Sequence, residues 1–264
     1  MTTDHAAFVR ANTSILFPPL VPEIKLHLAH EALPIWQKTE DELGEIGLPP
    51  PFWAFAWAGG QALARYILDT PSAVSGKRII ELASGSGMVG IAAMKVGAKS
   101  VLAADIDLFS VAAIEVNLLL NNKKATRHSR EGGNLCFSLN ADPRLRGDDE
   151  FEITSENLLT TNPPDVDVIL VGDLFYEKGV AERCLAWLEQ AQAKGMDVLI
   201  GDPGRSYLPK DRLVKVAEYS VPVSRDLEDA EIKQTAVRLI SASSRSRDTG
   251  TEYSATFTRR SLGK

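Results

Sequence analysis

The most informative stretch of the sequence is Arg78-Ile-Ile-Glu-Leu-Ala-Ser-Gly-Ser-Gly-Met-Val-Gly90. Its apolar start ends on a carboxylate, Glu81, and small residues follow as far as Gly87. The residues from Met88 to Val96 then predict a helix. A strand, a Gly-rich turn and a helix in this order form the first unit of an open α/β sheet. The ligand of such a unit lies at the carboxyl end of the strand, against free N–H groups at the start of the helix.

Two cofactors are compatible with this turn. Its glycines match the dinucleotide pattern G-x-G-x-x-G, and Asp105 follows Gly85 by 20 residues, the spacing of a ribose-binding acid. Residues 81–87 also resemble the turn D/E-x-G-x-G-x-G of class I S-adenosylmethionine (SAM) methyltransferases, with Ala83 at the first glycine. A carboxylate at Glu81 would face the pyrophosphate of NAD, whereas it suits the ammonium of SAM. The residues therefore favour SAM over NAD, and a plain Gly-rich turn is the third interpretation.

The composition limits the class of protein. The chain has 264 residues, of which 44% are hydrophobic and 24% are charged, enough for one α/β core with appendages. A net charge of −6 gives no overall attraction to nucleic acid or to an anionic membrane. Two cysteines without a C-x-x-C motif argue against a disulfide or metal framework. With no secretory signal pattern and no 18-residue apolar run, we expect a cytoplasmic protein.

The chain divides into three predicted parts. Residues 1–48 predict an N-terminal helical extension, 49–240 the catalytic domain, and 241–264 a disordered tail rich in Ser, Thr and Arg. Within the domain, residues 123–150 mix both charges with glycine and resemble translated palindromic repeats inserted in some bacterial reading frames. We expect a disordered surface loop there, since surface loops accept extra length at small entropic cost. A nucleic-acid-binding loop is the alternative, but the charges of this segment nearly cancel.

An aromatic segment precedes the first strand. Residues 48–61 contain three prolines, four aromatic residues and the pair Gly59-Gly60, which permits close backbone contact. One interpretation is a core anchor for the helix that follows. The other is a lid whose aromatic residues, Trp57 above all, line the cofactor or the acceptor side chain.

The other candidate residues follow an apolar strand at residues 167–172. Because this strand is nearly all apolar, we expect it in the centre of the sheet. It ends at Gly172 and leads to Asp173 and Tyr176 at the ligand edge, where an acid and a phenol are placed for chemistry. The alternative is that Asp173 only caps the helix predicted at residues 180–193.

Five short motifs recur in order and resemble one family. They are Pro50–Leu63, the turn at 81–87, Ala104–Asp107, Gly172–Glu177 and Gly201–Arg205. Together they resemble the seven-strand protein lysine methyltransferases, in particular the electron transfer flavoprotein β-subunit lysine methyltransferases and their bacterial relatives. This resemblance implies a Rossmann-like sheet of seven strands with helices on both faces. It also implies SAM as cofactor and a protein lysine as acceptor, with the flavoprotein β subunit as the partner.

The predicted site combines the motifs with this resemblance. Asp173 and Tyr176 are the predicted catalytic residues. The predicted cofactor-binding residues are Trp57, Glu81, Ala83, Gly85, Gly87, Asp105, Asn157 and Gly172. Asn157 follows the third strand, where the fold contacts adenine, and no metal site is predicted.

The chemistry requires a neutral amine, because a free lysine has a pKa of about 10.4. In the predicted mechanism Asp173 binds and orients the incoming ammonium, while Trp57 and Tyr176 exclude water and help it lose its proton. Three alternatives remain: methylation of a ribosomal protein or a small amine, a non-catalytic SAM-binding module, and, least favoured, an NAD-dependent dehydrogenase.

Overall fold

The computed structural model describes residues 4–29, 50–123, 126–127, 150–224 and 230–240, with only the backbone given at 126–127. The α-helices within these ranges are α1 His5–Ala11, α2 Ala58–Asp69, α3 Met88–Lys95, α4 Leu108–Leu120 and α5 Lys178–Ala193. The strands are β1 Ser14–Leu16, β2 Leu26–Leu28, β3 Arg78–Leu82, β4 Ser100–Ala104, β5 Thr126–Arg127, β6 Glu150–Thr154, β7 Val168–Gly172, β8 Asp197–Asp202, β9 Leu213–Pro222 and β10 Ile232–Ile240.

One mixed sheet organises the molecule, in the order β5-β6-β4-β3-β7-β8-β10-β9. The strands from β5 to β8 pair in parallel, whereas β10 pairs antiparallel with both β8 and β9. The chain moves outward from β3 through β4 to β6 and then returns to β7 on the other side of β3. Open α/β sheets bind their ligands at this kind of switch point. The seven predicted strands are all present, which confirms the predicted class I fold, and the two-residue strand β5 extends one edge.

Helices cover both faces of the sheet. Along each central strand, successive buried side chains point to opposite faces and so belong to two separate cores. Ile79 packs into one core with helices α2, α3 and α4, while Ile80 packs into the other core with helix α5. In the central strand β7, Val168 and Leu170 face the first core and Ile169 and Val171 face the second. The alternation buries β7 on both sides, as its apolar sequence predicts.

The described part of the N-terminal extension, residues 4–29, is only partly helical, so the helical prediction needs correction there. Helix α1 is followed by an antiparallel pair, in which Ser14 aligns with Leu28. Leu26 is fully buried in the first core, and the N–H of His27 donates to Asn117 of α4 at 2.6 Å. Leu26 and Leu28 therefore serve a strand packed on the domain rather than a helical face, and Ile24 is buried just before that strand.

Three predicted features fall partly or wholly outside the described residues. Of the predicted insertion at 123–150, residues 126–127 form strand β5 and residue 150 begins β6, whereas residues 124–125 and 128–149 lie outside the described residues. The described residues also exclude the predicted tail at 241–264. They exclude residues 30–49 as well, which span the end of the predicted extension and the start of the predicted domain.

Candidate active site

The Gly-rich turn between β3 and α3 bends through three left-handed residues. Ala83, Gly85 and Gly87 have φ angles of 50°, 53° and 76°. Gly87 caps α3, and a Cβ there would lie 3.1 Å from the side chain of Ile114 in α4. Glycine therefore lets the turn pack closely against α4, whereas Ala83 holds its conformation at a steric cost.

Glu81, one residue before the end of β3, is a buried carboxylate that is only 3% exposed. Its Oε2 accepts a hydrogen bond from the N–H of Gly90 at 3.0 Å. Burial raises the pKa of Glu81 to about 8, although hydrogen bonds from Gly90, Ser84 and Val89 act in the opposite direction. A cationic group in the adjacent space would favour the ionised form of this carboxylate.

Asp105 follows β4 and is held by the backbone of two loops. Its Oδ2 accepts from the N–H of Gly85 at 2.8 Å, and its Oδ1 accepts from the N–H of Asp107 at 3.0 Å. Burial raises the pKa of Asp105 to about 6. Each carboxylate oxygen has two acceptor sites, so the side chain keeps capacity for ribose hydroxyls.

A groove at the carboxyl edge of the sheet brings together six of the predicted residues. The residues that line it are Phe52, Phe55, Trp57, Gly60, Glu81, Ala83, Ser84, Gly85, Ser86, Met88, Val89, Gly172 and Asp173. One wall is the Gly-rich turn, and the opposite wall is the aromatic segment. The four remaining predicted residues, Gly87, Asp105, Asn157 and Tyr176, lie outside this lining set.

Helix α2 approaches the sheet closely because of glycines on both sides. A Cβ at Gly59 would collide with the backbone O of Gly201 and with the Asp173 carboxylate. A Cβ at Gly172 would lie 3.1 Å from the Cα of Gly60. These contacts bring the N-terminus of α2 to the ends of β7 and β8. The sequence indicated the Gly59-Gly60 contact but not its partners.

Asp173 joins three elements at this edge. It has a left-handed backbone with a φ of 53°, and its Oδ2 accepts from the N–H groups of Gly59 and Gly60. Its Oδ1 accepts from Nε of Arg205 at 2.9 Å and from a terminal guanidinium nitrogen of the same residue at 2.7 Å. Asp173 thus caps α2. The alternative that it caps α5 is wrong, because Glu177 is the N-cap of that helix.

Arg205 was not among the predicted site residues. Its guanidinium carbon lies 5.8 Å from the centre of the Trp57 ring, in addition to its contact with Asp173. Its backbone N–H donates to Oδ1 of Asp202 at 2.7 Å. The fully buried Asp202 thus fixes the turn that carries Arg205. The motif Gly201–Arg205 was the only signal for it in the sequence.

Aromatic side chains cover the side of the groove opposite the Gly-rich turn. Tyr176 is 48% exposed, and its ring centre lies 5.8 Å from that of Phe52. The indole N–H of Trp57 donates to the backbone O of Phe52 at 2.8 Å. Burial raises the pKa of the Tyr176 phenol, with a smaller contribution from Glu177. The predicted aromatic wall is therefore one connected group, with Tyr176 at its outer end.

Asn157 and Cys184 do not line the groove. Asn157 accepts from the N–H of Leu159 at 3.1 Å and caps a short 3-10 turn, so its contact with adenine stays a prediction. Cys184 lies on the buried face of α5, where burial raises its thiol pKa to about 12. Across the described ranges, no group of three or more His, Cys, Asp or Glu residues could hold a metal ion. Nor does any helix in those ranges have the length and apolarity to cross a membrane.

The residues of the groove fit SAM better than NAD. The buried Glu81 carboxylate suits an ammonium and would repel a pyrophosphate. The turn carries no side chain at Gly85, and the Asp105 carboxylate lies behind it for ribose. The aromatic wall opposite suits a sulfonium, since aromatic faces attract cations.

Comparisons with known proteins agree with this geometry. The family model for ribosomal protein L11 methyltransferase (PrmA) matches residues 62–140, which contain the Gly-rich turn. The chain is 34% identical over 228 residues to the electron transfer flavoprotein beta subunit lysine methyltransferase homolog of Caenorhabditis elegans, covering 82% of this chain and 88% of the relative. It is 33% identical over 237 residues to the human electron transfer flavoprotein beta subunit lysine methyltransferase, covering 88% and 80%. The rat protein of that name is also 33% identical, over 240 residues, covering 88% and 82%. The resemblance inferred from the motifs is thereby confirmed: the chain belongs to the electron transfer flavoprotein β subunit lysine methyltransferase family of SAM-dependent methyltransferases.

Proposed function

We propose that this protein transfers methyl groups from SAM to a lysine amine of the electron transfer flavoprotein β subunit. The observation that carries the proposal is the arrangement of one groove between two chemically different sides. Glu81 and the Gly-rich turn form the side suited to the methionine ammonium and the ribose of SAM. The aromatic wall of Trp57, Phe52 and Tyr176, which Asp173 supports from behind, forms the side suited to an amine. The names of relatives that match more than four fifths of the chain support the substrate.

Each side has a defined task in this proposal. Glu81 binds the ammonium of the cofactor, Asp105 binds the ribose hydroxyls, and the turn supplies backbone N–H groups. When bound, SAM supplies a methyl group already activated by its sulfonium. The protein therefore contributes alignment and exclusion of water. Trp57, Phe52 and Tyr176 keep water away from the acceptor amine.

We propose a role for Asp173 that differs from the one inferred from the sequence. Its two oxygens receive four N–H donors, two from the start of α2 and two from Arg205. A carboxylate has about four acceptor sites, so no site remains for an ammonium. We propose that Asp173 positions Arg205 and the N-terminus of α2, and through them the Trp57 wall.

We propose that the aromatic wall moves when the cofactor binds. The groove encloses only about 50 Å³, too little for a whole nucleoside. Phe55 and Trp57 also line a second cavity of about 210 Å³ on the side of the N-terminal strands. The wall therefore has space to move away from the Gly-rich turn.

The direct test is methylation of purified acceptors. The protein is incubated with SAM and with either the flavoprotein β subunit or ribosomal protein L11, and the intact masses are measured. The proposal expects mass increases of one or more methyl groups on the β subunit, mapped to lysine by peptide sequencing. Methylation of L11 alone, or of neither protein, would overturn it. A chain carrying Asp105→Ala serves as the control for cofactor-dependent transfer.

A further inference from the structure

Three large aromatic side chains are exposed at the carboxyl edge of the sheet, beside the groove. Phe52, Tyr176 and Tyr207 are 46%, 48% and 46% exposed. None of the three belongs to a hydrophobic core of the described residues. Within the same ranges, Phe17 is the only other Phe, Tyr or Trp that is exposed. Exposed aromatic surface is therefore concentrated beside the groove, and we call these three residues the aromatic rim.

Tyr207 is held in place although its ring packs in no core. It lies in the turn after β8, which is fixed by hydrogen bonds to the buried Asp202. The N–H of Tyr207 donates to the backbone O of Phe175 at 3.2 Å, one residue before Tyr176. The next residue along the chain, Leu208, is 7% exposed and packs in the second core. The fold therefore fixes the backbone of Tyr207 beside Tyr176 and leaves much of its ring in contact with solvent.

The proposed methyl transfer brings a protein segment onto this rim. The four-carbon stem of a lysine is short, so the residues on either side of the target lysine contact the surface around the groove when the amine is inside. Phe52 lines the groove itself, and its ring centre lies 5.8 Å from that of Tyr176. The rim is thus continuous with the groove. Aromatic residues are enriched in protein interfaces, and a tyrosine joins an apolar ring to a hydroxyl that can bond a peptide backbone.

We propose that the aromatic rim is the docking surface for the segment of the flavoprotein β subunit that carries the target lysine. Docking covers apolar rings that are exposed to water in the free enzyme, as expected for an exposed patch at an interaction site. Tyr207 contacts this segment outside the groove, so it selects the protein substrate without touching the cofactor. The inference rests on the proposed function and adds Tyr207 as a specificity-determining residue.

The test separates acceptor binding from methyl transfer in the full-length chain. The kcat and the KM for the purified flavoprotein β subunit are measured at saturating SAM in the wild type, Tyr207→Ala, Tyr207→Phe and Leu119→Ala. Leu119 is 57% exposed near the end of α4, so its variant controls for the loss of an exposed apolar side chain elsewhere. The melting temperature, the calorimetric affinity for S-adenosylhomocysteine and the sedimentation of the ligand-free chain are recorded for each protein.

The inference expects Tyr207→Ala to raise the KM for the β subunit about tenfold and to leave kcat within about twofold, because an interaction made equally in the ground state and the transition state is lost. Tyr207→Phe keeps the ring and should raise KM less than Tyr207→Ala does. Leu119→Ala should keep the wild-type KM. All variants should keep the wild-type affinity for S-adenosylhomocysteine and the wild-type melting temperature.

An unchanged KM in Tyr207→Ala, or a lower kcat with an unchanged KM, would overturn the docking surface. A wild type that sediments as a dimer, with Tyr207→Ala as a monomer, would overturn it as well, because a second copy would then cover the rim. If the wild type leaves the β subunit unmethylated, the proposed function fails and the rim loses its partner. Normal transfer with an unchanged KM in Tyr207→Ala overturns the docking surface alone.

Discussion

The two sides of the groove are built in different ways. On the cofactor side, the hydrogen bonds join residues that are near in sequence: Gly90 to Glu81, nine positions apart, and Gly85 to Asp105, 20 positions apart. On the acceptor side, Asp173 receives the N–H of Gly59, 114 positions away, and the guanidinium of Arg205, 32 positions away. The cofactor side is a local unit of strand, turn and helix. The acceptor side exists only once α2, β7 and β8 have packed together.

We expect this difference to separate cofactor binding from methyl transfer. A change on the cofactor side should alter affinity for the cofactor and leave the acceptor groups in place. A change on the acceptor side should alter the positions of several groups at once, because Asp173 joins three elements. The variants below test whether the two sides behave so differently.

Replacing Asp173 should have the largest effect. Asp173→Ala removes a charged contact in a nearly dry site, which costs about 2–4 kcal/mol, or on the order of 30- to 1,000-fold in the rate of methyl transfer. Asp173→Asn should be nearly as slow, because Asn can cap α2 but cannot pair with Arg205. Single-turnover assays below the melting temperature measure both rates. A fully active Asn variant would show that the charge of Asp173 does not contribute.

Close packing of α2 against the sheet should appear as a difference in stability between alanine substitutions at two neighbouring glycines. Gly59→Ala places a methyl group against the backbone O of Gly201, so we expect a loss of about 2–3 kcal/mol in the free energy of unfolding. Gly60→Ala is the matched control, since its Cβ would lie 3.1 Å from the flexible end of Met88. Urea titration of both variants gives the comparison. Equal losses would mean that the contact between α2 and β8 is not close.

Glu81 should give the smallest effect, and its sign depends on pH. The folded protein raises the pKa of Glu81 from 4.5 to about 8, so it holds a proton that the unfolded chain releases between these values. Stability of the ligand-free protein should therefore fall as pH rises through this window. Asp105 contributes in the same direction only up to about pH 6.

Glu81→Gln removes this dependence above pH 6. We expect its melting temperature at pH 8 to exceed that of the wild type by about 2–5 °C, and the two to converge towards pH 5. Thermal melts at several pH values test this. Parallel curves for the two proteins would contradict a buried, proton-binding Glu81.

The contrast between local and long-range hydrogen bonds also explains which parts of the site could be predicted from the sequence. Glu81, Gly85 and Asp105 could be placed because spacing along the chain fixes a turn between a strand and a helix. The partners of Asp173 could not, because they depend on how elements far apart in sequence pack. The N-terminal residues were predicted as helical since apolar spacing in a short segment is ambiguous between helix and strand.

The most direct measurement of the two-sided site is calorimetric binding of S-adenosylhomocysteine to matched variants. Asp105→Ala should weaken binding by about 1–3 kcal/mol, the usual cost of stranded hydrogen-bonding groups. Asp173→Ala should bind within about twofold of the wild type, or less than about 0.5 kcal/mol, although it transfers methyl groups slowly. NAD should give no heat of binding. The account would be contradicted by Asp105→Ala binding as tightly as the wild type, or by a wild-type protein that binds NAD and gives no response to S-adenosylhomocysteine.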